Sequence, residues 1–145
     1  MAVGCWPLTV VIALGSNLGD RAYSLRRAIH ELRRVINVVR VSSFIETEPV
    51  DAPPPDYLNA VVVGSTHLTS QELLDALLAI EKRLGRRRTT RNAPRVIDLD
   101  LILHSAHRVR TRTLTLPHPR FRGREFVMRP LRELGWPIAS PPDRR

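Results

Sequence analysis

Asp98 and Asp100 stand one residue apart in Val96-Ile97-Asp98-Leu99-Asp100-Leu101-Ile102-Leu103, an otherwise apolar octet that follows Pro94 and Arg95. Pro94 and the polar residues before it read as loop, and the octet reads as a buried strand. Residues two apart in a strand share a face, which sets the two carboxylates roughly 6–7 Å apart along the chain. Ile97, Leu99, Leu101 and Leu103 then point the other way, into a core. Neighbouring carboxylates in apolar surroundings repel each other and lose hydration, so arginines, metal ions or both must compensate them. Arg86, Arg87, Arg88, Arg91 and Arg95 all fall between Gly85 and Arg95. Paired carboxylates suit magnesium, which takes few protein oxygens together with water and substrate phosphates. Two such ions about 3.5–4 Å apart clamp a phosphoryl group in transfer, while arginines neutralise its oxygens. On spacing alone, a plain surface pair on an edge strand carries comparable weight.

Other residues bear chemistry less specifically. His118, held between Pro117 and Pro119, is placed to hydrogen-bond a phosphate, although a lone histidine is more often structural. Tyr57 and Asn59 share one strand face, where an aromatic wall and an amide can together read a flat heterocycle. Ordinary packing is the commoner role of such a tyrosine, and Phe126 carries the same two readings. Gly15-Ser16-Asn17-Leu18-Gly19 lacks the Gly-Lys-Ser/Thr end of a Walker A loop and is no dinucleotide fingerprint; it reads as a turn.

The chain is long enough, at 145 residues with 43% hydrophobic content, for one domain spanning 1–145. Its net charge of +9 is nearly all arginine, since Lys82 is the only lysine, and predicts anionic partners: nucleic acid, phosphates or phosphorylated metabolites. No apolar run approaches the roughly 18 residues of a membrane span. Met1 to Leu14 lacks a basic n-region and runs straight into Gly15, so it reads as a first strand rather than a signal peptide. Cys5 has no second cysteine to pair with, which suits a reducing cytoplasm and disfavours a catalytic thiol.

The elements that must position these residues follow from periodicity. Leu8 to Leu14 reads as a central strand, and Asp20 as the N-cap of a helix burying Leu25, Ala28, Ile29, Leu32 and Ile36 and ending at Asn37. Val38 to Glu46 reads as one strand, with Val39, Val41, Ser43 and Ile45 sharing a face. A long loop rich in proline leads to a strand from Tyr57 to Leu68. Thr69-Ser70-Gln71-Glu72 is a capping box opening a second amphipathic helix, which Gly85 stops. After the Asp98/Asp100 strand, His104 to Thr113 reads as a polar excursion, Leu114 to Pro119 as extended, and Arg124 to Leu134 as a short helix. A frayed tail is expected over 135–145. The order strand–helix–strand–strand–helix–strand is the α+β, ferredoxin-like βαββαβ plan. It predicts an antiparallel sheet with helices on one face and the active site on the other, open face.

Read together, these segments resemble 6-hydroxymethyl-7,8-dihydropterin pyrophosphokinase, a folate-pathway family. The resemblance is carried by Ile12 to Gly19, Ser42-Ser43-Phe44 with Glu46 to Val50, Asp56 to Ala60, Ile80-Glu81 with Gly85-Arg86, Pro94-Arg95 with Asp98-Leu99-Asp100, and Leu116 to Pro119 with Phe126 and Pro130-Leu131. It implies an enzyme that transfers pyrophosphate from ATP to the pterin hydroxymethyl group and releases AMP; the expectation for the chain is a cytoplasmic monomer. Carried over position by position, it implies that Asp98 and Asp100 hold two Mg2+ ions and that Arg86 and Arg95 bind the transferring phosphates. Glu81, Arg91, Thr115, His118 and Arg124 would line the ATP site, and Thr47, Val50, Tyr57, Asn59 and Phe126 the pterin pocket. The chain departs from the family at Asn92-Ala93, where a Trp-Gly is usual, and at Pro119, where many members carry an aromatic.

Two other readings compete. An RNA-binding module of the same fold would account for the positive charge, but an aromatic content of 5% and the lack of an RNP1-like pattern disfavour nucleic acid. A paralogue that binds pterin with weakened catalysis is the third.

Overall fold

The computed structural model of the chain describes residues 8–48, 55–85, 95–105 and 108–135. The loop arginines Arg86 and Arg91, the Asn92-Ala93 departure, Val50, Cys5 and the tail beyond 135 lie outside them.

An α+β fold is built on β1 (Leu8–Ser16), which pairs antiparallel with β4 (Tyr57–Thr66) on one side and β5 (Asp98–His104) on the other. The edge beyond β4 is shared by β2 (Asn37–Val41) and β3 (Ile45–Thr47), so the main path runs β2-β4-β1-β5. Two short strands, β6 (Val109–Arg110) and β7 (Thr115–Leu116), pair separately. Helices α1 (Arg21–Leu32) and α2 (Ser70–Arg83) cover one face of the sheet, and their starts are capped as the sequence predicts. Asp20 accepts the Tyr23 N–H at 3.0 Å, and the Thr69/Glu72 capping box closes in both directions. Gly85 follows α2 with φ +95°, the left-handed backbone that favours glycine.

The core on this face is built from Val10, Ile12 and Leu14 of β1, Ala60 and Val62 of β4, and Ile97, Leu99 and Leu101 at β5. Leu25, Ala28 and Leu32 of α1 and Leu73, Leu77 and Ile80 of α2 close it from above.

Four expectations need correcting. Helix α1 ends at Leu32, not Asn37; the chain turns through residues 33–36, and Asn37 opens β2. Ile36 still reaches the core from that turn. Val38 to Glu46 is two strands, because the pairing with β4 shifts between Val38 and Arg40 and the chain leaves the sheet over 42–44. Val38, Val41 and Phe44 therefore pack on the helix-side core, while Val39 is exposed. In β5, Val11 pairs with Leu103 and Ile12 with Leu101, which leaves Ile102 as the extra residue of a β-bulge. Beyond the bulge, Leu103 packs on the opposite face from Leu101. His104 is no loop residue but a buried member of β5, with Nε2 2.9 Å from the Leu68 carbonyl oxygen.

The second face is not wholly open either. Helix α3 (Glu125–Glu133) and the 3-10 turn Phe121–Gly123 cover part of it. There Val11, Ala13, Val61, Val63 and Ile102 pack under Phe121, Val127 and Leu131. The pleat dictates this: alternate residues of strands apolar on both faces need cover on both. Polar groups take the strand ends beside and beyond Ala13 and Val61, where Asp100, Asn59 and Asp98 stand.

Candidate functional site

Alternation along β1, β4 and β5 brings the predicted polar residues into register on the second face. Gly15 stands between Asn59 and Asp98, and the next row down sets Ala13 between Val61 and Asp100. With strands about 4.8 Å apart, Asn59 and Asp98 are spaced by roughly 10 Å across a glycine. Gly15 contributes no side chain, so the floor between the two polar residues is bare backbone. A Cβ there would sit 3.1 Å from Asn59 Oδ1 and 3.2 Å from Tyr57 Cδ1.

On the β5 side, the cation that the paired carboxylates require is present: Arg95 Nη1 lies 3.2 Å from Asp98 Oδ2, with both side chains partly buried. Glu81 of α2 is buried, and its Oε2 accepts the Leu99 N–H at 2.7 Å. It thus grips the β5 backbone between the two aspartates, which fixes the pitch of the pair. Glu81, Lys82, Leu74 and Leu78 of α2 and Arg95, Asp98, Leu99, Asp100 and Thr113 line an open cleft of about 820 Å³. Such a volume suits a nucleotide-sized ligand.

On the β4 side, Tyr57 pairs with Thr47 of β3, and Asn59 Nδ2 donates to Thr47 Oγ1. That bond fixes the orientation of the Asn59 amide. Arg21 braces the entry to β4, donating to the Asp56 carbonyl at 3.0 Å and pairing with Glu46 at 2.7 Å.

His118 lies between these groups and the C-terminal elements. Its backbone N–H donates to the Ile102 carbonyl at 2.9 Å, which hangs the Pro117–Pro119 segment on the outer edge of β5. Burial, and then the charges of Arg124 and Arg120, push its pKa below the ordinary 6.5, with Asp98 acting in the opposite direction. The imidazole is therefore neutral at pH 7. The Arg124 guanidinium lies 5.5 Å from the centre of the Phe126 ring, and Phe126 packs on the cluster under α3.

A profile of the 7,8-dihydro-6-hydroxymethylpterin-pyrophosphokinase (HPPK) family matches residues 11–135. The chain belongs to that family. It is similar to the 2-amino-4-hydroxy-6-hydroxymethyldihydropteridine pyrophosphokinase of Bacillus subtilis, 43% identical over 126 residues that make up 85% of this chain and 75% of that protein. The protein of the same name from Synechocystis is 41% identical over 126 residues, 86% of this chain and 65% of the relative. The mitochondrial folate synthesis bifunctional protein of Pisum sativum is 44% identical over 127 residues, 86% of this chain but only 25% of the pea protein.

Within this HPPK chain, the fold assembles Arg95, Asp98, Asp100 and Glu81 on one side and Thr47, Tyr57 and Asn59 on the other. Thr115 is less central: it is exposed, pairs with Arg110 in the small sheet, and is not among the residues lining the cleft, where Thr113 stands instead. Thr113 and Lys82 escape a motif reading because no local pattern marks them, and Gly15, although inside the segment that carries the resemblance, reads there only as part of a turn. Asn17 escapes it too. It lies in the Ile12–Gly19 segment that carries the resemblance, but nothing there states which backbones its side chain will hold.

Proposed function

We propose that the chain transfers pyrophosphate from ATP to 6-hydroxymethyl-7,8-dihydropterin, the activity that its family's name describes. The observation that carries this reading is the register row Asn59–Gly15–Asp98: an amide fit to read a heterocycle and a carboxylate fit to hold a cation, separated by bare backbone. In the reaction the pterin hydroxymethyl oxygen bonds to the β-phosphorus of ATP as the bond from that phosphorus to the α,β-bridging oxygen breaks. AMP leaves with the bond's electron pair, and the hydroxyl proton passes to solvent. No protein atom need bond covalently to substrate, so rate comes from alignment and charge neutralisation.

The donor set fits magnesium. Asp98 and Asp100 offer hard oxygens on one strand face, and among the described residues no group of three or more His, Cys, Asp or Glu side chains forms a closed protein cage. An ion held here would keep most of its coordination for water and phosphate oxygens. We assign two Mg2+ ions to Asp98 and Asp100; when bound, they would screen the phosphate charges. Arg95 is placed to neutralise phosphate oxygens beside them, with Arg86 and Arg91 assigned the same work from outside the described residues. Glu81 lines the nucleotide cleft, and Thr115, Arg124 and His118 are assigned to ATP with it. Thr47, Tyr57, Asn59 and Phe126, together with Val50, are assigned to the pterin.

The same reading takes residues 1–145 as one ferredoxin-like domain, supported by the order β2-β4-β1-β5 with antiparallel pairing throughout and α1 and α2 on one face. It is a monomeric, cytoplasmic enzyme in this account; among the described residues no helix is long and apolar enough to cross a membrane. An RNA-binding module gains nothing from the structure. Such modules stack bases on an exposed sheet, whereas here Val11, Ala13, Val61 and Val63 lie under α3.

The test is AMP formation from ATP and magnesium with the hydroxymethyl-dihydropterin. AMP from the wild type, lost in Asp98→Ala, is the expected result. No AMP from a wild type that binds pterin would leave a weakened paralogue, and no binding of either substrate would overturn the assignment.

A further inference from the structure

Asn17 is the first residue after β1, and it is 2% exposed. Its Oδ1 accepts the Arg95 N–H at 2.7 Å, and its own backbone N–H donates to the Arg95 carbonyl at 3.0 Å. From the other side of the amide, Nδ2 donates to the Pro55 carbonyl at 3.2 Å. Arg95 carries the guanidinium paired with Asp98 and lies three residues before it. Pro55 lies two residues before Tyr57, where β4 begins.

One buried side chain therefore grips the backbone that leads into each half of the site. The chemistry restricts which residue can do this. The amide both donates and accepts on a two-atom reach, so one side chain satisfies a backbone N–H and a backbone carbonyl together. Aspartate keeps the acceptor but turns a second oxygen towards the Pro55 carbonyl. Alanine loses both arms and leaves the Arg95 N–H, in a partly buried position, without this acceptor.

We propose that Asn17 is a positioning residue for the transfer: it fixes the offset between Arg95 with Asp98 and Tyr57 with Asn59, and so the in-line approach of the two substrates. The inference rests on the pyrophosphokinase reading above. Each substrate is bound mainly by side chains of its own half, and Asn17 touches only the backbone of Arg95 and of Pro55. Loss of the tether therefore acts on the alignment between halves, where a misplacement of about 1 Å costs on the order of 10²-fold in rate.

The experiment compares the wild type with Asn17→Asp and Asn17→Ala in steady-state kinetics, with unfolding temperature and amide hydrogen exchange measured on the same samples. In Asn17→Asp, which keeps the Arg95 arm, kcat is expected to fall about tenfold or more while KM for ATP and for the pterin each stay within about threefold. The Arg95 amide keeps its exchange protection in Asn17→Asp and loses it in Asn17→Ala. An Asn17→Asp variant whose folded fraction turns over at the wild-type rate, or whose loss falls wholly in KM, overturns the proposal whatever its unfolding temperature. Exchange protection at Arg95 that is unchanged in Asn17→Ala overturns it independently of catalysis. A wild type that forms no AMP defeats the pyrophosphokinase reading first, and the transfer role of Asn17 falls with it.

Discussion

The two faces of the sheet use the same strands to opposite ends. On the helix face, Val10, Ile12, Leu14, Ala60, Val62, Leu99 and Leu101 form an apolar floor under α1 and α2 that runs as far as Leu14. On the other face the floor is apolar only as far as Ala13 and Val61, under α3. One register step further it becomes Asn59, Gly15 and Asp98. The difference shows where a small sheet can place a polar site. The apolar half of the second face anchors a covering helix, and that cover confines the substrates to the strand ends. Substitutions on the helix face should therefore act on stability, and those at the polar strand ends on turnover.

The largest effect is expected at the polar end. Asp98→Ala removes a metal-holding carboxylate and the partner of Arg95, and AMP formation should fall by about 10³-fold or more. Its unfolding temperature should move little, because both side chains of the pair are partly exposed to water. A large loss of stability in this variant would break the division between the faces.

The converse change is Leu77→Ala, in the middle of α2. Leu77 is fully buried, and truncating such a side chain costs about 2–5 kcal/mol through lost burial and the cavity left behind. Chemical denaturation measures that cost directly. The folded fraction should keep wild-type KM values, since Leu77 does not line the cleft.

Gly15→Ala probes the boundary between the halves. The new methyl group meets Asn59 Oδ1 and Tyr57 Cδ1 closer than ordinary contact allows. It would tilt the amide and the ring, raising KM for the pterin by about tenfold and leaving that for ATP near its wild-type value. An equal rise in both constants would mean that Gly15 belongs to a floor common to both substrates.

The helix face was the more legible of the two in the sequence, for a physical reason. Strand and helix periodicity are local signals, and they correctly assign Leu25, Ala28 and Leu32 of α1 to the core. Alternation also places Asp98 with Asp100 and Tyr57 with Asn59. It fails wherever register changes: the bulge at Ile102 turns Leu103 to the other face, and the slip near Val38 exposes Val39. Bulges come from pairing with a neighbouring strand, so a period-two count cannot detect them. Asn17 shows the other limit. Its partners lie 38 and 78 residues along the chain, and a hydrogen bond between distant backbones leaves no mark on the pattern around it. The covering role of α3 was hidden for the same reason, since a short amphipathic helix does not state which face it will cover.

The smallest effect is expected from His118, and it sharpens the electrostatic side of the comparison. Burial and the charges of Arg124 and Arg120 lower its folded pKa, outweighing Asp98. A histidine whose pKa is lower when folded binds protons more readily when unfolded, so acid favours unfolding through this group. Its stabilising contribution is whole above the ordinary 6.5 and is lost as pH falls from there through the folded pKa. The stability of the wild type should accordingly decline more steeply below that pH than that of His118→Gln, which has no proton to gain. Asp98→Ala should lower the His118 pKa further, because it removes a charge acting to raise it. An NMR titration of the imidazole checks both statements. A pKa at or above 6.5 would mean that the carboxylates, not the arginines, set the field at the polar end before any phosphate or metal arrives.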